Sequence, residues 1–156
     1  FDTRNPKEKG KLLRWFTISR AVVEALPSCV FLIRDTLGLD LRPWWRLHRA
    51  ATGIALDYPQ FVMAGERVMN LDRLFHVREG HGRSQDRVPP RMASEDVPGF
   101  GYKRVSDEVL DGMLDEYYGA NGWSLRTSVP TRGKLAELGM EGACGDLEAR
   151  GIEVEP

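Results

Sequence analysis

The sequence predicts an all-α protein, an irregular multi-helix domain that carries a long loop rich in glycine and proline at about residues 80–104. Apolar residues recur at helical spacing along most of the chain, and no useful stretch alternates with the period of two typical of a strand. The 156 residues, of which 42% are hydrophobic, can bury one core without disulfides or a metal. We therefore expect residues 1–156 to form a single helical domain.

The first two helices are predicted from apolar faces and proline positions. The residues from Lys11 to Leu26 place ten apolar side chains on a broad helix face, and Pro27 ends or kinks that helix. A second helix should start near Pro43, because proline suits a first turn where its missing N–H is not needed. Gly53 is expected to weaken or end this helix.

The third helix is predicted to be the longest and most regular. It should run from Gln60, just after Pro59, to about Glu79, with its apolar residues close to helical spacing. From Gly80 to Arg104 glycines and prolines break the pattern, which predicts a long ordered loop or a linker.

The C-terminal third is predicted to hold shorter helices. Ser106 should cap a helix that runs to about Gly119, because a serine side chain accepts a hydrogen bond from the first turn. Three features should follow: a turn at Asn121-Gly122, a short helix over 132–138 capped by Thr131, and a weak helix over 141–150 before a polar tail.

Charge and composition exclude several functional classes. The balance of 22 basic against 23 acidic residues excludes a generally basic surface for nucleic acid or a polybasic one for membranes. The longest apolar run, residues 29–33, is far short of the roughly 20 residues that a membrane helix needs. We expect a cytoplasmic protein with no nucleic-acid or membrane partner. Because the chain begins at Phe1 without an initiator methionine, we also expect it to be a piece of something longer or a processed subunit.

Histidines and arginines are the first candidates for chemistry. His76 and His81 are five residues apart, which on a helix places the imidazoles on different sides and argues against a zinc pair. A set of arginines spans 25 residues with acidic residues between them: Arg67, Arg73, Arg78, Arg83, Arg87 and Arg91. This set indicates either an anion clamp or ion pairs that tie a helix to the following loop.

The two cysteines differ in their surroundings. Cys29 follows Pro27-Ser28 and precedes an apolar run, so the sequence predicts a buried thiol. A 4Fe–4S cluster needs four thiolates, so if Cys29 is a ligand the other three lie outside this chain. Cys144 has no polar or basic support and is expected to be structural.

Several segments together resemble the C-terminal part of the tungsten-dependent aldehyde ferredoxin oxidoreductase family. The run from Ala64 to Gly80, AGERVMNLDRLFHVREG, is similar to a family helix, with His76 in place of the usual asparagine. Further matching segments follow in the family's order: Arg83, Asp86 and Pro89-Pro-Arg91, then Leu114–Tyr118, Gly122-Trp123, Pro130-Thr131 and Leu135–Gly139. The resemblance covers nearly the whole chain, although Asn121 stands where the family usually has arginine.

The resemblance implies a set of cofactor residues. The family's D-x-x-G-L-C motif, which carries one cluster cysteine beside a pterin, corresponds here to Glu24–Cys29. It implies that Cys29 is a cluster ligand and that Glu24 and Ser28 lie at the pterin. The segment Asp35–Asp40 has the D-x-x-G-L-D form of the family's other pterin motif, which usually lies well upstream. This second match is either a coincidence or a cofactor contact through Asp35 and Asp40.

The resemblance also implies a function. The family oxidises aldehydes to carboxylic acids with a tungsten (or molybdenum) bis-pterin and passes electrons through a 4Fe–4S cluster to ferredoxin. The implied partners are the N-terminal cofactor-binding domains of the same enzyme and ferredoxin. The chain alone is expected to bind no cofactor and to be inactive. The alternative is a non-catalytic helical interaction module derived from that family, favoured by Pro27, His76 and Asn121.

Overall fold

The computed structural model describes residues 5–29, 31, 40–96 and 104–156. Within these ranges the chain is helical, and its pairing of extended segments is confined to one isolated bridge between Trp123 and Pro130. The helices are α1 (Lys9–Glu24), α2 (Arg42–Thr52), α3 (Tyr58–Arg78), α4 (Pro90–Ser94), α5 (Asp107–Asn121), α6 (Arg132–Glu137) and α7 (Gly142–Glu148). The predicted all-α class is therefore confirmed.

Two compact units divide the chain. One consists of Phe1–Arg14 and Phe75–Pro156, and the other of Trp15–Leu74. Helices α1 and α3 each begin in one unit and end in the other. The expectation of a single helical domain over residues 1–156 stays a prediction.

The unit formed by residues 15–74 is built from most of α1, α2 and most of α3. Its buried core comprises Val22, Val23, Leu41, Trp44 and Phe61. Gly65 lets α3 approach α1 closely, because a Cβ there would lie 2.4 Å from Val22 Cγ2 and 2.8 Å from the Ile18 carbonyl oxygen. No larger residue fits this crossing without displacing backbone.

The ends of α2 follow the predicted signals, whereas α3 begins at Tyr58, two residues before the predicted Gln60. Pro43 lies in the first turn of α2, and Gly53 ends it in the left-handed conformation at φ 70° with its N–H bonded to the Arg49 carbonyl. At the start of α3, Asp57 Oδ1 accepts from the Gln60 N–H at 2.8 Å, while Gln60 Oε1 accepts from the Asp57 N–H at 2.9 Å. This reciprocal capping box fixes where α3 begins.

The other unit contains α5, α6 and α7, and its buried apolar residues include Leu110, Tyr118, Trp123, Val129, Leu135, Leu138, Cys144, Leu147 and Val154. The predicted caps are confirmed, since Ser106 Oγ accepts from the Val109 N–H at 3.3 Å and Thr131 Oγ1 from the Lys134 N–H at 3.2 Å. The C-terminal residues are tied down, because the Arg132 N–H donates to the Glu155 carbonyl at 2.8 Å.

The segment predicted as a loop after α3 contains more helix than expected. A 3₁₀ turn covers Arg83–Gln85, and α4 covers Pro90–Ser94. The adjacent prolines suggested a break, but Pro90 stands in the first turn of α4, where it needs no N–H. In the part of the chain that the structure describes, no helix is both long and apolar enough to cross a membrane.

Candidate functional site

The segment from Glu24 to Cys29 is the C-terminal end of α1 and the turn after it. Glu24 is the last helical residue, and the Leu26 N–H bonds to the Val23 carbonyl at 3.1 Å. Ser28 folds back onto the same carbonyl, because Ser28 Oγ donates to Val23 O at 3.3 Å. The helix therefore ends before Pro27, and Cys29 follows a turn rather than lying within a helix.

Cys29 is an exposed free thiol, so the prediction that it is buried was wrong. The prediction relied on the apolar run that follows, but Phe31 in that run is itself 64% exposed. The turn at the end of α1 carries Cys29 off the helix face that packs against the core. Cys144, in contrast, is buried, which agrees with the structural role expected for it.

The two described carboxylates predicted to contact a pterin each have a local partner. Glu24 is exposed and accepts a hydrogen bond from Arg20 Nε at 2.6 Å, one helical turn earlier. Asp40 Oδ1 accepts from the Arg42 N–H at 3.0 Å at the start of α2. Asp35 lies outside the described residues. Each described polar member of the set, Glu24, Ser28 and Asp40, thus bonds to a near neighbour in sequence rather than to another member.

The described residues contain no group of side chains large enough to form a metal site. Residues 5–29, 31, 40–96 and 104–156 contain no group of three or more histidine, cysteine or acidic side chains that could hold an ion. Cys29 is exposed and its thiol is free, so it fits the role of one ligand whose companions come from another segment. These residues alone do not assemble a cluster site.

His76 and His81 lie close together, which differs from the predicted separation. Their ring centroids are 6.4 Å apart and nearly perpendicular. The spacing argument assumed a continuous helix, but α3 ends at Arg78 and Gly80 adopts φ 86°. The chain reverses there, and the His81 N–H bonds to the His76 carbonyl at 2.9 Å.

Arg83 and Arg87 form ion pairs that tie the segment after α3 to α5. Arg83 Nη1 donates to Asp115 Oδ1 at 2.5 Å and to the Leu125 carbonyl at 2.6 Å, and Arg87 Nη1 donates to Asp111 Oδ1 at 2.7 Å. The arrangement supports the ion-pair interpretation over an anion clamp for these two arginines. Arg78 and Arg91 also pair with acidic neighbours, Glu79 and Glu95.

These contacts change the pKa of both partners. Hydrogen bonding and charge attraction from Arg87, with a smaller contribution from Arg83, hold the pKa of Asp111 below its ordinary value despite opposing desolvation. Burial lowers the pKa of Arg83, but its hydrogen bonds and attraction to Asp115 and Asp111 outweigh this and raise it overall. Both shifts favour the charged forms, as in a structural ion-pair network.

A small apolar cavity of about 190 Å³ lies within the unit formed by residues 15–74. Its lining comes from α1, α2, α3 and the α2–α3 connection: Ala21, Val22, Ala25, Leu26, His48, Leu56, Phe61, Ala64, Gly65 and Val68. His48 is the single polar side chain in this lining, and its ring lies 5.6 Å from that of Phe61. His48 is half-buried.

The described residues form an all-α segment with one exposed free thiol, that of Cys29. Residues 1–140 match the family model described as aldehyde ferredoxin oxidoreductase, domains 2 and 3. The chain belongs to this family, which confirms the resemblance read from the sequence.

Individual relatives agree with the family model. The chain is 32% identical over 135 residues to a protein of Pyrococcus horikoshii named tungsten-containing aldehyde ferredoxin oxidoreductase. It is 30% identical over 133 residues to a protein of the same name from Thermococcus kodakarensis. These matches cover 86% and 85% of this chain and 21% of each relative. The chain thus spans about a fifth of the length of the curated relatives that it matches.

Proposed function

We propose that this chain is the C-terminal portion of a tungsten (or molybdenum) bis-pterin oxidoreductase that oxidises aldehydes to carboxylic acids with ferredoxin as electron acceptor. The observation that carries the proposal is the family match over residues 1–140. In this reaction water supplies the added oxygen, the aldehyde gives up two electrons, two protons are released, and ferredoxin accepts the electrons. The enzyme would work in the cytoplasm.

Within that enzyme, Cys29 contributes one thiolate to a 4Fe–4S cluster. A thiolate that shares a cluster with ligands of another domain must be accessible from outside its own domain, and Cys29 is exposed at the end of α1. Cys144 is 3% exposed and does not meet that condition. The other three thiolates come from the N-terminal cofactor-binding domains of the same polypeptide. The metal and pterin supply the redox chemistry, and the protein orients them.

Glu24, Ser28, Asp35 and Asp40 form the proposed pterin contacts. A carboxylate has two oxygens and about four lone-pair positions, so the bond from Arg20 leaves Glu24 able to accept from a pterin N–H. The side chains of Arg20 and Glu24 are 55% and 50% exposed, and a surface pair of this kind is easily exchanged. Ser28 Oγ keeps its lone pairs while it donates to the Val23 carbonyl.

A pair of cysteine variants tests the proposal in the protein expressed with the rest of its polypeptide. Cys29→Ala should lower cluster iron and abolish aldehyde-dependent reduction of benzyl viologen. Cys144→Ala should keep the iron content, because this buried thiol is no ligand. Full iron and full turnover in the Cys29→Ala protein would contradict the assigned ligand.

The isolated chain gives a second test. We expect it to fold without binding stoichiometric tungsten and without oxidising aldehydes, because it supplies one thiolate of four. Stoichiometric tungsten together with turnover by the purified 156 residues would overturn this expectation.

The alternative is a non-catalytic helical interaction module that kept the family core and lost the cofactor. The observation in its favour is that Glu24, Ser28 and Asp40 already bond to local partners. The DNA upstream of the coding segment distinguishes the two. A cysteine trio of the form C-x-x-C-x-x-x-C in the same reading frame supports the enzyme, and its absence supports the module.

A further inference from the structure

Helix α2 carries an uninterrupted positive face. Its sequence, RPWWRLHRAAT, contains three arginines and no acidic residue. Arg42, Arg46 and Arg49 follow one another at spacings of four and three, which places them on one side of a helix. With a rise of 1.5 Å per residue, the three charges extend over roughly 10 Å. We call Arg42, Arg46 and Arg49 the α2 stripe.

The α2 stripe faces away from the core of its unit. All three arginines are exposed, whereas Trp44, on the opposite side of α2, is 3% exposed and belongs to the core. The charges therefore stand on the outer surface of the helix and can meet a partner without any change in the packing of the unit.

The charges of the α2 stripe are largely uncompensated. Arg42 approaches Asp40 at 3.6 Å between two well-exposed side chains, which is a weak pair. Arg46 and Arg49 pair with no carboxylate in the part of the chain that the structure describes. This differs from Arg83 and Arg87, whose charges are matched by acidic residues of α5.

Aromatic rings orient two of the three guanidinium groups. Arg49 lies over the ring of Trp45 at 5.2 Å, and Arg42 lies over the ring of Tyr58 at 5.7 Å. The two rings pack edge to face at 5.9 Å, and Trp45 Nε1 donates to the Leu56 carbonyl at 2.8 Å. Cation–π contacts hold a guanidinium in place while its N–H groups stay available for an anion. The arginines are thus held in position without being neutralised.

We propose that the α2 stripe is a docking surface for an acidic electron-carrier protein, with ferredoxin as its occupant. This inference rests on the proposed function, which requires a protein electron acceptor. Electron-transfer complexes are small, short-lived and steered by charge, so a stripe of three oriented cations suits them. Guanidinium groups bind the carboxylates of an acidic surface through paired hydrogen bonds.

Nucleic acid fits this surface less well. Backbone-driven DNA binding gains its affinity from many phosphate contacts, about six to ten in a strong case, whereas the stripe supplies three cations. The faces of Trp45 and Tyr58 are already covered by guanidinium groups, so these rings offer no platform on which bases could stack.

The test uses the full-length enzyme and two double variants of equal charge change. Arg46→Glu with Arg49→Glu reverses two charges of the stripe. Arg91→Glu with Arg150→Glu reverses the charges of two exposed arginines elsewhere, one in α4 and one just after α7. At low ionic strength the stripe variant should lose about tenfold or more in kcat/KM for ferredoxin and keep its activity with benzyl viologen, which needs no docking. The difference should shrink as salt is added.

The control variant separates local docking from net charge. It should retain most of its kcat/KM for ferredoxin, and an equal loss in both variants would overturn the proposal. If reversal unfolds the enzyme, Arg46→Gln with Arg49→Gln takes its place, with a smaller expected loss. Loss of stability in this neutral variant with unchanged ferredoxin kinetics would show that the stripe packs against the rest of the polypeptide, against the proposal.

A direct binding measurement tests the docking surface independently of the proposed function. Calorimetric titration with oxidised ferredoxin needs no turnover, and its affinity should fall in the stripe variant and persist in the control. Benzyl viologen activity absent from the unmodified enzyme would count against the proposed function alone. Ferredoxin affinity that is unaffected by stripe reversal would overturn the docking surface. The proposal would also be overturned if the enzyme bound a 20-base-pair DNA duplex in 150 mM salt and only the stripe variant lost that binding.

Discussion

The carboxylate of Glu116 accepts a hydrogen bond from the backbone N–H of Gly10 at 2.7 Å, between residues 106 positions apart. Its other oxygen accepts from the Glu8 N–H at 2.9 Å. A carboxylate of α5 thus satisfies free N–H groups at the start of α1 and places a negative charge at the positive end of that helix. Gly10 allows this approach, because a Cβ there would lie 2.5 Å from the backbone nitrogen of Tyr117.

Replacing Gly10 should therefore destabilise the unit formed by residues 1–14 and 75–156. Gly10→Ala forces a methyl group against the backbone of α5, and overpacking of this kind costs about 1–3 kcal/mol. The matched control is Gly112→Ala in α5, where a Cβ meets nothing within 4 Å. That change should stabilise by about 0.5–1 kcal/mol, since alanine favours helix. Urea unfolding of both variants measures the difference, and equal effects of the two substitutions would contradict this account of Gly10.

A second close approach lies in the other unit, at the crossing of α1 and α3. Gly65→Ala would place a methyl group against Val22 and the carbonyl of Ile18, so we expect a loss of about 2 kcal/mol or more. Gly145→Ala in α7, with open space around the added atom, serves as the control. Thermal unfolding followed by far-UV circular dichroism is the measurement, and a Gly65→Ala protein as stable as its parent would refute the crossing geometry.

The buried hydroxyl of Tyr118 gives a third prediction. Tyr118 is 1% exposed, and its OH donates to the carboxylate of Asp86. Tyr118→Phe removes this bond and leaves a carboxylate oxygen short of a donor, which should cost about 1.5–3 kcal/mol. Tyr117→Phe on the same helix is the comparison, with a smaller loss expected. The free energy of unfolding of each variant is the measurement. Equal losses in the two variants would show that the bond to Asp86 does not stabilise the fold.

The ion pairs of Asp111 predict a dependence of stability on pH. Arg87 and Arg83 lower the pKa of Asp111 below its ordinary value of 3.8. The folded state therefore keeps this carboxylate charged at pH values where the unfolded chain begins to protonate it. The stabilisation is complete above pH 3.8 and is lost as the pH falls through the lowered pKa of the folded state.

Asp111→Asn should thus lower the urea midpoint at pH 7, and the deficit should shrink towards zero as the pH falls below 3.8. Asp146→Asn is the control, because Asp146 lies 3.6 Å from Arg150 in an exposed pair that contributes little. A deficit for Asp111→Asn that stays constant from pH 7 to pH 3 would show that the loss is not electrostatic.

The sequence was a good guide wherever a feature depends on neighbours along the chain. Ser106 and Thr131 cap helices as predicted, because a cap needs one side chain and the following turn. The contact of Glu116 with Gly10 could not be predicted, since it depends on how distant helices pack. The prediction placed His76 and His81 on different sides of one continuous helix, but that helix ends at Arg78 and their rings lie close together.

The candidate site was predictable only in part, for a similar reason. The assignment of Cys29 as a cluster ligand, made from motif order, stays a prediction. The apolar residues beside Cys29 predicted the wrong burial, because apolar composition does not reveal which face a turn presents. The α2 stripe was overlooked, since the net charge of the whole chain, only −1, conceals a local excess of arginine on one helix. A helix-by-helix count of charges would have found it.

Because the two thiols differ in exposure, their labelling rates provide a built-in probe of local unfolding. In the isolated chain, Cys29 is open to a maleimide reagent in the native state, whereas Cys144 is buried in α7 and becomes reactive only when its surroundings open. Mass spectrometry of a labelling time course should show one rapid addition and a second, slower one. The rate of the second reports how often the native packing around α7 is lost, without any engineered probe.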